Sequence, residues 1–189
     1  VLRRAKRGHT AADTVRAAKL IQRAGISLIL QTMAGLPGDT RETVRYTAQR
    51  IAALKPDGVR IYPVVVLPDT PLYDDWQAGR YQPLDVETAA VWCADMLEVF
   101  EQEGIAVIRV GLNPTEELDS TVAAGAYHPA MGELAYSELW YRRLCRQIRE
   151  TGERTITVPQ RELSRAIGHK KRNVLRLSEQ FGEIHITAQ

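Results

Sequence analysis

The sequence has little cysteine and no long apolar stretch. Only two of its 189 residues are cysteines, Cys93 and Cys145, and they lie far apart in helix-like patterns. Two separated thiols cannot form a disulfide framework or a four-cysteine zinc site. We therefore expect reduced, mostly buried thiols of a cytoplasmic protein. No run of eighteen apolar residues is present, so neither a transmembrane helix nor a membrane partner is expected.

The N-terminal end, VLRRAKRGHT, also lacks an initiator methionine and the apolar segment of a signal peptide. We therefore expect a fragment of a longer chain that begins within a structural element. The composition, with 44% hydrophobic and 25% charged residues, is that of an ordinary globular protein. Its length allows one domain and a small second one.

Positive charge is scarce in the body of the chain and concentrated near its C-terminal end. Residues 1–139 contain 14 Lys/Arg and 18 Asp/Glu, a net charge of −4, whereas residues 140–189 contain 11 and 5, a net charge of +6. A basic tail on an acidic body predicts that the tail meets a polyanion. A solvated helical face is the alternative that charge alone leaves open.

Three nearly continuous apolar runs alternate with helical patterns over the first 110 residues. The runs are ISLILQTMA at 26–34, VRIYPVVVL at 59–67 and IAVIRV at 105–110. This alternation predicts an α/β fold with a parallel sheet covered by helices, either a doubly wound sheet or part of a barrel. Both architectures bind ligands at the carboxyl ends of their strands. A site is therefore expected among residues 31–38, 62–70 and 110–114.

Local signals predict how the first elements begin and end. Thr10 with Asp13 forms a capping-box pattern before the first helix, and Asp39 with Glu42 is expected to cap the second. Pro63 is unusual inside an apolar strand, because proline cannot donate to a sheet ladder. It predicts a bulge or an edge at which the chain turns toward a ligand.

The remaining residues divide into a connection and a small α/β unit. Residues 111–128 form a long connection, and a helix is predicted from Pro129 to about Thr151. After Gly152, short strand and helix patterns alternate up to a closing strand, EIHI. We therefore expect three parts, at 1–110, 111–151 and 152–189.

Three stretches of the sequence carry a family resemblance. They are RGHT at 7–10, QTMAGLPGDT at 31–40 and VRIYPVVVLPDTPLYDDWQAGRY at 59–81. In this order they resemble the radical S-adenosylmethionine (SAM) superfamily. The third stretch is similar to the Elongator catalytic subunit group, through a strand ending in IYP and a T-x-L-Y-x-x-W-x-x-G-x-Y block. The GLPG turn and the R-x-H element are also similar to oxygen-independent coproporphyrinogen oxidases.

The resemblance implies the C-terminal portion of a partial (βα)6 barrel that holds a [4Fe–4S] cluster and SAM. In that superfamily a CxxxCxxC loop after the first strand binds the cluster, and this sequence contains no such loop. We expect the loop upstream of this chain, so that the chain supplies no cluster ligand and is inactive by itself. An electron donor is a further implied partner.

The resemblance also implies which residues contact SAM. Gln31 has both a donor and an acceptor for the ribose hydroxyls, and Arg7 has the fork geometry for the SAM carboxylate. The glycines of the GLPG turn allow close backbone approach, and the IYP segment is expected near the adenine. The implied set is Arg7, Gln31, Gly35, Pro37, Gly38, Tyr62 and Pro63. Ordinary structural roles are the alternative for each of them.

No catalytic residue is assigned from the sequence. His128 and Glu133, in the segment GAYHPAMGE, are polar groups expected near the mouth of the barrel. Histidine is a common proton-transfer group. A structural role for this histidine, which stands directly before Pro129, is the favoured interpretation.

The C-terminal stretch RELSRAIGHKKRNVLRLSEQFGEIHI resembles a KH domain, especially the KH repeats of the transcription elongation factor NusA. In KH domains a GXXG loop clamps the nucleic-acid backbone. The corresponding loop here has lysine in place of the second glycine. The RNA-binding residues that the resemblance implies are Gly168, His169, Lys170, Lys171 and Arg172. A small basic cap that packs on the barrel and binds nothing is the alternative.

These features favour part of a radical SAM enzyme, which cleaves SAM reductively to a 5′-deoxyadenosyl radical. The basic KH-like tail makes RNA, including tRNA, the expected substrate and partner. The acetyltransferase domain that follows the barrel in the Elongator relative has no counterpart in this sequence. The alternatives are a radical SAM enzyme acting on a tetrapyrrole or another small molecule, and a non-catalytic RNA-binding protein built on a degenerate barrel.

Overall fold

The computed structural model describes residues 1–189 as an α/β protein with short strands and mostly amphipathic helices. Its elements are, in chain order, α1 (Ala11–Arg23), β1 (Ile29–Ala34), α2 (Arg41–Ala52), β2 (Gly58–Pro63), β3 (Val65–Val66), α3 (Pro71–Gln77), α4 (Val86–Gln102), β4 (Ala106–Val110), α5 (Glu116–Thr121), β5 (Ala124–Gly125), α6 (Met131–Thr151), β6 (Thr155–Val158), α7 (Leu163–Ile167), α8 (Arg172–Phe181) and β7 (His185–Ala188). Short 3₁₀ turns precede α7 and α8. No helix is both long enough and apolar enough to cross a membrane.

A three-stranded parallel sheet organises the first 110 residues, in the spatial order β1-β2-β4. Parallel neighbours require crossover connections, and α2 provides the one between β1 and β2. The connection from β2 to β4 contains α3 and α4. The expected α/β fold with a parallel sheet is therefore confirmed. The first predicted strand begins too early, because residues 26–28 precede β1 and Ile26 is exposed.

One face of this sheet is covered by α2 and α4, and α4 in turn packs against α6. The main apolar core lies between these layers and includes Val59, Ile61, Leu97 and Phe100, all fully buried. The buried residues Val44 and Ala48 recur at helical spacing on α2, as its amphipathic pattern predicts. The thiols of Cys93 and Cys145 are free and buried, which confirms their expected burial.

The second predicted strand, 59–67, is divided at Pro63. β2 ends at this proline, and the backbone N–H of Val64 still donates to the carbonyl of Ala34 at 2.9 Å. The chain then leaves the parallel sheet and forms β3, which pairs antiparallel with β5. The prediction that the proline marks a place where the chain turns is confirmed.

The start of α2 differs from the sequence-based expectation. Its N-cap is Thr40, which forms a capping box with Thr43, and not Asp39 with Glu42. The Asp39 carboxylate is already engaged, since it accepts hydrogen bonds from the Leu36 N–H at 3.0 Å and the Thr43 hydroxyl at 3.0 Å. In contrast, Thr10 and Asp13 form the expected capping box of α1.

Residues 152–189 form a small α/β unit that packs along α6. Its strands β6 and β7 are parallel, and α7 and α8 connect them. Ile156, Val158 and Leu177 form an apolar cluster with Leu144 and Ile148 of α6. Gly152, in the left-handed conformation, ends α6 as a C-cap. The division into three parts stays a prediction, since α6 contributes to both apolar clusters.

Candidate functional site: the open face and carboxyl edge of the parallel sheet

The two faces of the parallel sheet differ in exposure to solvent. Side chains alternate along each strand, so Thr32, Ala34, Val59 and Ile61 are buried on the helix-covered side. The opposite side, here called the open face, presents the exposed polar side chains of Gln31 and Arg60 next to the exposed apolar side chains of Ile29 and Ile108. Gln31 pairs in register with Arg60 across β1 and β2, and Met33 pairs with Tyr62 one row nearer the carboxyl edge.

Two of the expected SAM-binding side chains therefore share the open face. Gln31 is exposed and Tyr62 is half-buried, one row apart on neighbouring strands. Pro63 alternates to the helix-covered side and is buried, so its ring is not on the open face. Arg7 is exposed in the N-terminal segment, where its carbonyl lies 2.9 Å from the His9 ring nitrogen Nδ1.

The GLPG turn follows β1 directly at the carboxyl edge of the sheet. Gly35 has φ +92°, and a Cβ atom placed on it would lie 2.9 Å from Leu84 Cδ1. Gly38 has φ +82°, and its Cβ would lie 2.8 Å from Arg4 Cδ. These values require glycine at both positions. The groups that approach the turn most closely in this structure are side chains of the same chain.

A cavity of about 410 Å³ adjoins this turn. Its lining residues are Arg4, Gly35, Leu36, Pro37, Gly38, Asp39, Arg80, Tyr81, Gln82, Leu84 and Trp92. The Tyr81 hydroxyl donates to the Gly35 carbonyl at 2.7 Å. Burial, together with the nearby Asp39 charge, raises the pKa of Tyr81 to about 12, and burial also raises the pKa of Asp39. The tyrosine is therefore a neutral hydrogen-bond donor at physiological pH, and it fixes the turn.

The two polar residues singled out between α5 and α6 have partners within the chain. His128 Nδ1 accepts a hydrogen bond from the Ala130 backbone N–H at 3.0 Å, just before α6 begins. Glu133 pairs with Arg165 of the C-terminal unit at 3.2 Å. These contacts agree with the structural role that we favoured for the histidine.

Ion pairs hold the basic tail against the acidic body. Arg172 lies 2.9 Å from Glu87 of α4, and Arg176 lies 2.8 Å from Glu138 of α6. Arg165, which pairs with Glu133, also stacks over the Tyr136 ring at 4.1 Å. Some of the tail's basic side chains therefore contact acidic side chains of the same chain. The sequence does not reveal these pairings, because their partners are far apart along the chain.

The GHKK loop between α7 and α8 presents the tail's free lysines. Lys170 and Lys171 are exposed, form no ion pair, and have positive φ values of 50° and 61°. Gly168 also has a positive φ, and a Cβ there would lie 2.8 Å from Ser137 Oγ. Lys171 stands where the KH motif has glycine, and it adopts the left-handed backbone that glycine favours.

The residues of this chain do not fit a [4Fe–4S] cluster. The chain has no group of three His, Cys, Asp or Glu side chains placed to hold a metal ion. The thiol of Cys93 is fully enclosed, and burial raises its pKa to about 12, so it is not available as a thiolate ligand. The open face and the carboxyl edge do offer polar groups and a glycine turn that fit a ligand such as SAM.

Comparison with known proteins agrees with this geometry. A profile described as the Radical_SAM C-terminal domain matches residues 56–141, from just before β2 to the middle of α6. This match agrees with the resemblance: residues 56–141 are similar to the C-terminal domain of radical SAM proteins.

Several curated relatives that match the chain are Elongator-like proteins. The tRNA uridine(34) acetyltransferase of Methanocaldococcus jannaschii is 37% identical over 92 residues, which cover 47% of this chain and 17% of the relative. Elongator complex protein 3 of Bos taurus is 28% identical over 142 residues, which cover 74% of this chain and 25% of the relative. This chain therefore spans a quarter or less of the length of these curated relatives.

A solved structure shows the same fold. The archaeal Methanocaldococcus infernus Elp3 with an N-terminal deletion aligns with a TM-score of 0.68 at 24% identity, covering 86% of this chain and 39% of that chain. The sheet and helices described above therefore have the arrangement found in part of Elp3.

Proposed function

We propose that this chain is the SAM-facing C-terminal part of a radical SAM enzyme that modifies tRNA. The observation that carries the proposal is the pairing of a polar open face, centred on Gln31, with a glycine turn at the carboxyl edge of the same strand. One of the curated relatives is a tRNA uridine(34) acetyltransferase, which supports tRNA as the proposed substrate.

The proposed roles of the chain's own residues are binding and orientation. Gln31 offers an amide N–H and an amide oxygen to a ribose diol, and Tyr62 borders it one row nearer the edge. Tyr81 keeps the GLPG turn in place through the Gly35 carbonyl. SAM, when bound with a reduced cluster, supplies the 5′-deoxyadenosyl radical. The side chains of this chain include no group that could hold the cluster.

The experiment uses the protein expressed from its complete gene and reconstituted anaerobically. We expect iron–sulfur absorbance and formation of 5′-deoxyadenosine from SAM after reduction. Gln31→Ala should weaken SAM binding by about tenfold, the equivalent of one lost hydrogen bond to a charged or strongly polar ligand. Gln49→Ala, on the exposed side of α2, is the matched control and should bind SAM normally. No cluster absorbance and no 5′-deoxyadenosine would reject the proposal.

We further propose that RNA contacts the tail through the GHKK loop. The specific support is that Lys170 and Lys171 are exposed and unpaired, whereas Arg165, Arg172 and Arg176 are engaged with the body. The set of RNA-contacting residues implied by the resemblance becomes narrower, since Gly168 packs against α6 and Arg172 is ion-paired. Charge at the two lysines, and not close backbone approach, is the proposed source of affinity.

The test replaces both lysines, as Lys170→Ala with Lys171→Ala, and measures tRNA binding as a function of salt. We expect weaker binding and a shallower dependence on salt, since each lost phosphate contact lowers the slope of log K against log [salt] by nearly one. The matched control is Lys19→Ala with Lys55→Ala, because these lysines are also exposed and Lys55 shares the positive φ. Equal binding and equal slopes for both double variants would favour a tail that binds nothing.

A further inference from the structure

A bulge interrupts the pairing of β2 with β4. Val59 pairs with Val107, and the next pair is Arg60 with Arg109, so that Ile108 is the extra residue. Bulges are uncommon between parallel strands, and they often occur beside functional sites, where they redirect a side chain. This bulge therefore changes the face of the sheet on which Arg109 lies.

The bulge places Arg109 on the open face. Val107 and Val110 both pack against the main core, whereas Ile108 and Arg109 are exposed between them. With regular alternation, Arg109 would share the face of Val107 and would be directed into the core. The extra residue instead aligns Gln31, Arg60 and Arg109 in one row across three strands.

Two arginines, Arg60 and Arg109, are thus register partners on neighbouring strands. Neighbouring strands are about 4.8 Å apart, and like charges at opposite positions destabilise a sheet. Neither Arg60 nor Arg109 forms an ion pair with any carboxylate of the chain, whereas Arg41 of α2 and Arg142 of α6 do. An unpaired pair of guanidinium groups is a site for an oxyanion.

The position of Arg109 directs this charge toward the ligand edge. Its Nη1 donates to Asn113 Oδ1 at 2.5 Å, and Asn113 follows the carboxyl end of β4. The guanidinium group therefore extends along the open face toward the edge where the GLPG turn and Tyr62 lie. In the same row of residues, Arg60 lies between Arg109 and Gln31, the residue that we assign to SAM binding.

We propose that Arg60 and Arg109 together bind a phosphate group of the nucleic-acid substrate on the open face. Guanidinium groups match phosphate oxygens bidentately, and a bound phosphate removes the repulsion between the two arginines. This inference rests on the proposed function, because it takes RNA as the substrate. It names the phosphate group as the part of the substrate that the sheet binds, and Arg60 and Arg109 as the residues that bind it.

The experiment measures binding of inorganic phosphate by calorimetry at constant ionic strength, with chloride as the reference anion. Arg60→Gln and Arg109→Gln should each weaken phosphate binding by about tenfold or more. Arg50→Gln, which removes the same charge from the exposed surface of α2, should leave it unchanged. Arg60→Lys should fall between wild type and Arg60→Gln, because it keeps the charge and loses the fork. Phosphate affinities that are equal in all variants would overturn the inference.

Two separate measurements test whether the variants fold and which ligand the arginines bind. Without phosphate, Arg60→Gln should melt at or above the wild-type temperature, because it removes a repulsion, so a loss of affinity would not reflect misfolding. Uridine 5′-monophosphate should compete with phosphate in the wild type, and uridine should not. If the two glutamine variants weaken binding of SAM and leave phosphate binding intact, the pair serves the SAM carboxylate and the proposal is wrong.

These outcomes separate the inference from the proposed function. Phosphate binding needs neither cluster nor radical, so the measurement is independent of the anaerobic assay. Intact phosphate binding that depends on Arg60 and Arg109, without any 5′-deoxyadenosine formation, would reject the proposed function and keep this site. Radical formation with unchanged phosphate affinity in both variants would reject the site and keep the function.

Discussion

Arg142 on α6 and Asp95 on α4 form a buried ion pair, with 2.6 Å between Arg142 Nη1 and Asp95 Oδ1. The same carboxylate, whose residue is 2% exposed, accepts two hydrogen bonds from Arg41 at the start of α2, at 2.6 and 2.9 Å. Arg142 also donates to Glu138 and to the Val91 carbonyl. One carboxylate therefore joins α2, α4 and α6.

The first prediction is that Asp95→Ala lowers the free energy of unfolding by about 3 kcal/mol, because it removes the buried carboxylate that pairs with both Arg142 and Arg41. Urea denaturation followed by circular dichroism measures this change. Arg45→Ala is the control, since its ion pair with Glu98 is exposed and 3.8 Å long. It should cost less than about 1 kcal/mol. A loss at Asp95 as small as that of the control would contradict the structural role.

The second prediction concerns the pH dependence of the same pair. Burial opposes ionisation of Asp95, but the Arg41 and Arg142 guanidinium groups outweigh it and hold the pKa of Asp95 below its ordinary value. A depressed folded-state pKa means that the stabilisation is complete above the unfolded pKa of about 4 and is lost as the pH falls through the folded value. The stability difference between wild type and Asp95→Asn should therefore shrink as the pH is lowered from 5 to about 2. A difference that is constant over this range would be inconsistent with ionisation of Asp95.

The third prediction concerns the docking of the C-terminal unit. Asn173, at the start of α8, is 1% exposed, and its Nδ2 donates to the Ser137 carbonyl at 2.8 Å and the Ala166 carbonyl at 3.1 Å. Asn173→Ala leaves these buried carbonyls without this donor and should cost about 2 kcal/mol. Faster amide hydrogen exchange in β6 and β7, with little change in β1 and β2, would locate the loss in this unit. Glu179→Ala, on the exposed side of α8, should leave exchange unaltered.

The sequence predicts those features of the fold that depend on neighbouring residues. The Thr10 capping box, the turn at Pro63 and the end of α6 at Gly152 each follow from local chemistry. The cap of α2 was predicted wrongly, because the Asp39 carboxylate is used within the preceding turn.

The features that the sequence does not predict depend on residues far apart along the chain. Arg172 and Glu87, which pair between the tail and the body, are 85 residues apart. The alignment of Arg60 with Arg109 depends on a bulge at Ile108, and no residue in IAVIRV signals it, since Ile108 is apolar and yet 51% exposed. The apolar run therefore predicts the strand, and only the pairing register shows which side each residue faces.

The fourth prediction separates backbone strain from packing at the GLPG turn. Gly35 and Gly25 both have positive φ, at +92° and +69°, but only Gly35 has a neighbour, Leu84, that an added Cβ would meet at 2.9 Å. Gly25→Ala should cost about 1 kcal/mol, which is the cost of the left-handed backbone alone. Gly35→Ala should cost about 1–3 kcal/mol more, since Leu84 must move as well.

The double variant Gly35→Ala with Leu84→Ala tests the cause of that difference. If the contact with Leu84 is responsible, the second substitution adds less than its own cost, and the coupling appears as a nonzero interaction free energy in urea denaturation. Gly25→Ala combined with Leu84→Ala provides the reference, because those two sites should add. Additive costs at Gly35 as well would show that the turn is strained for a reason other than the approach of Leu84.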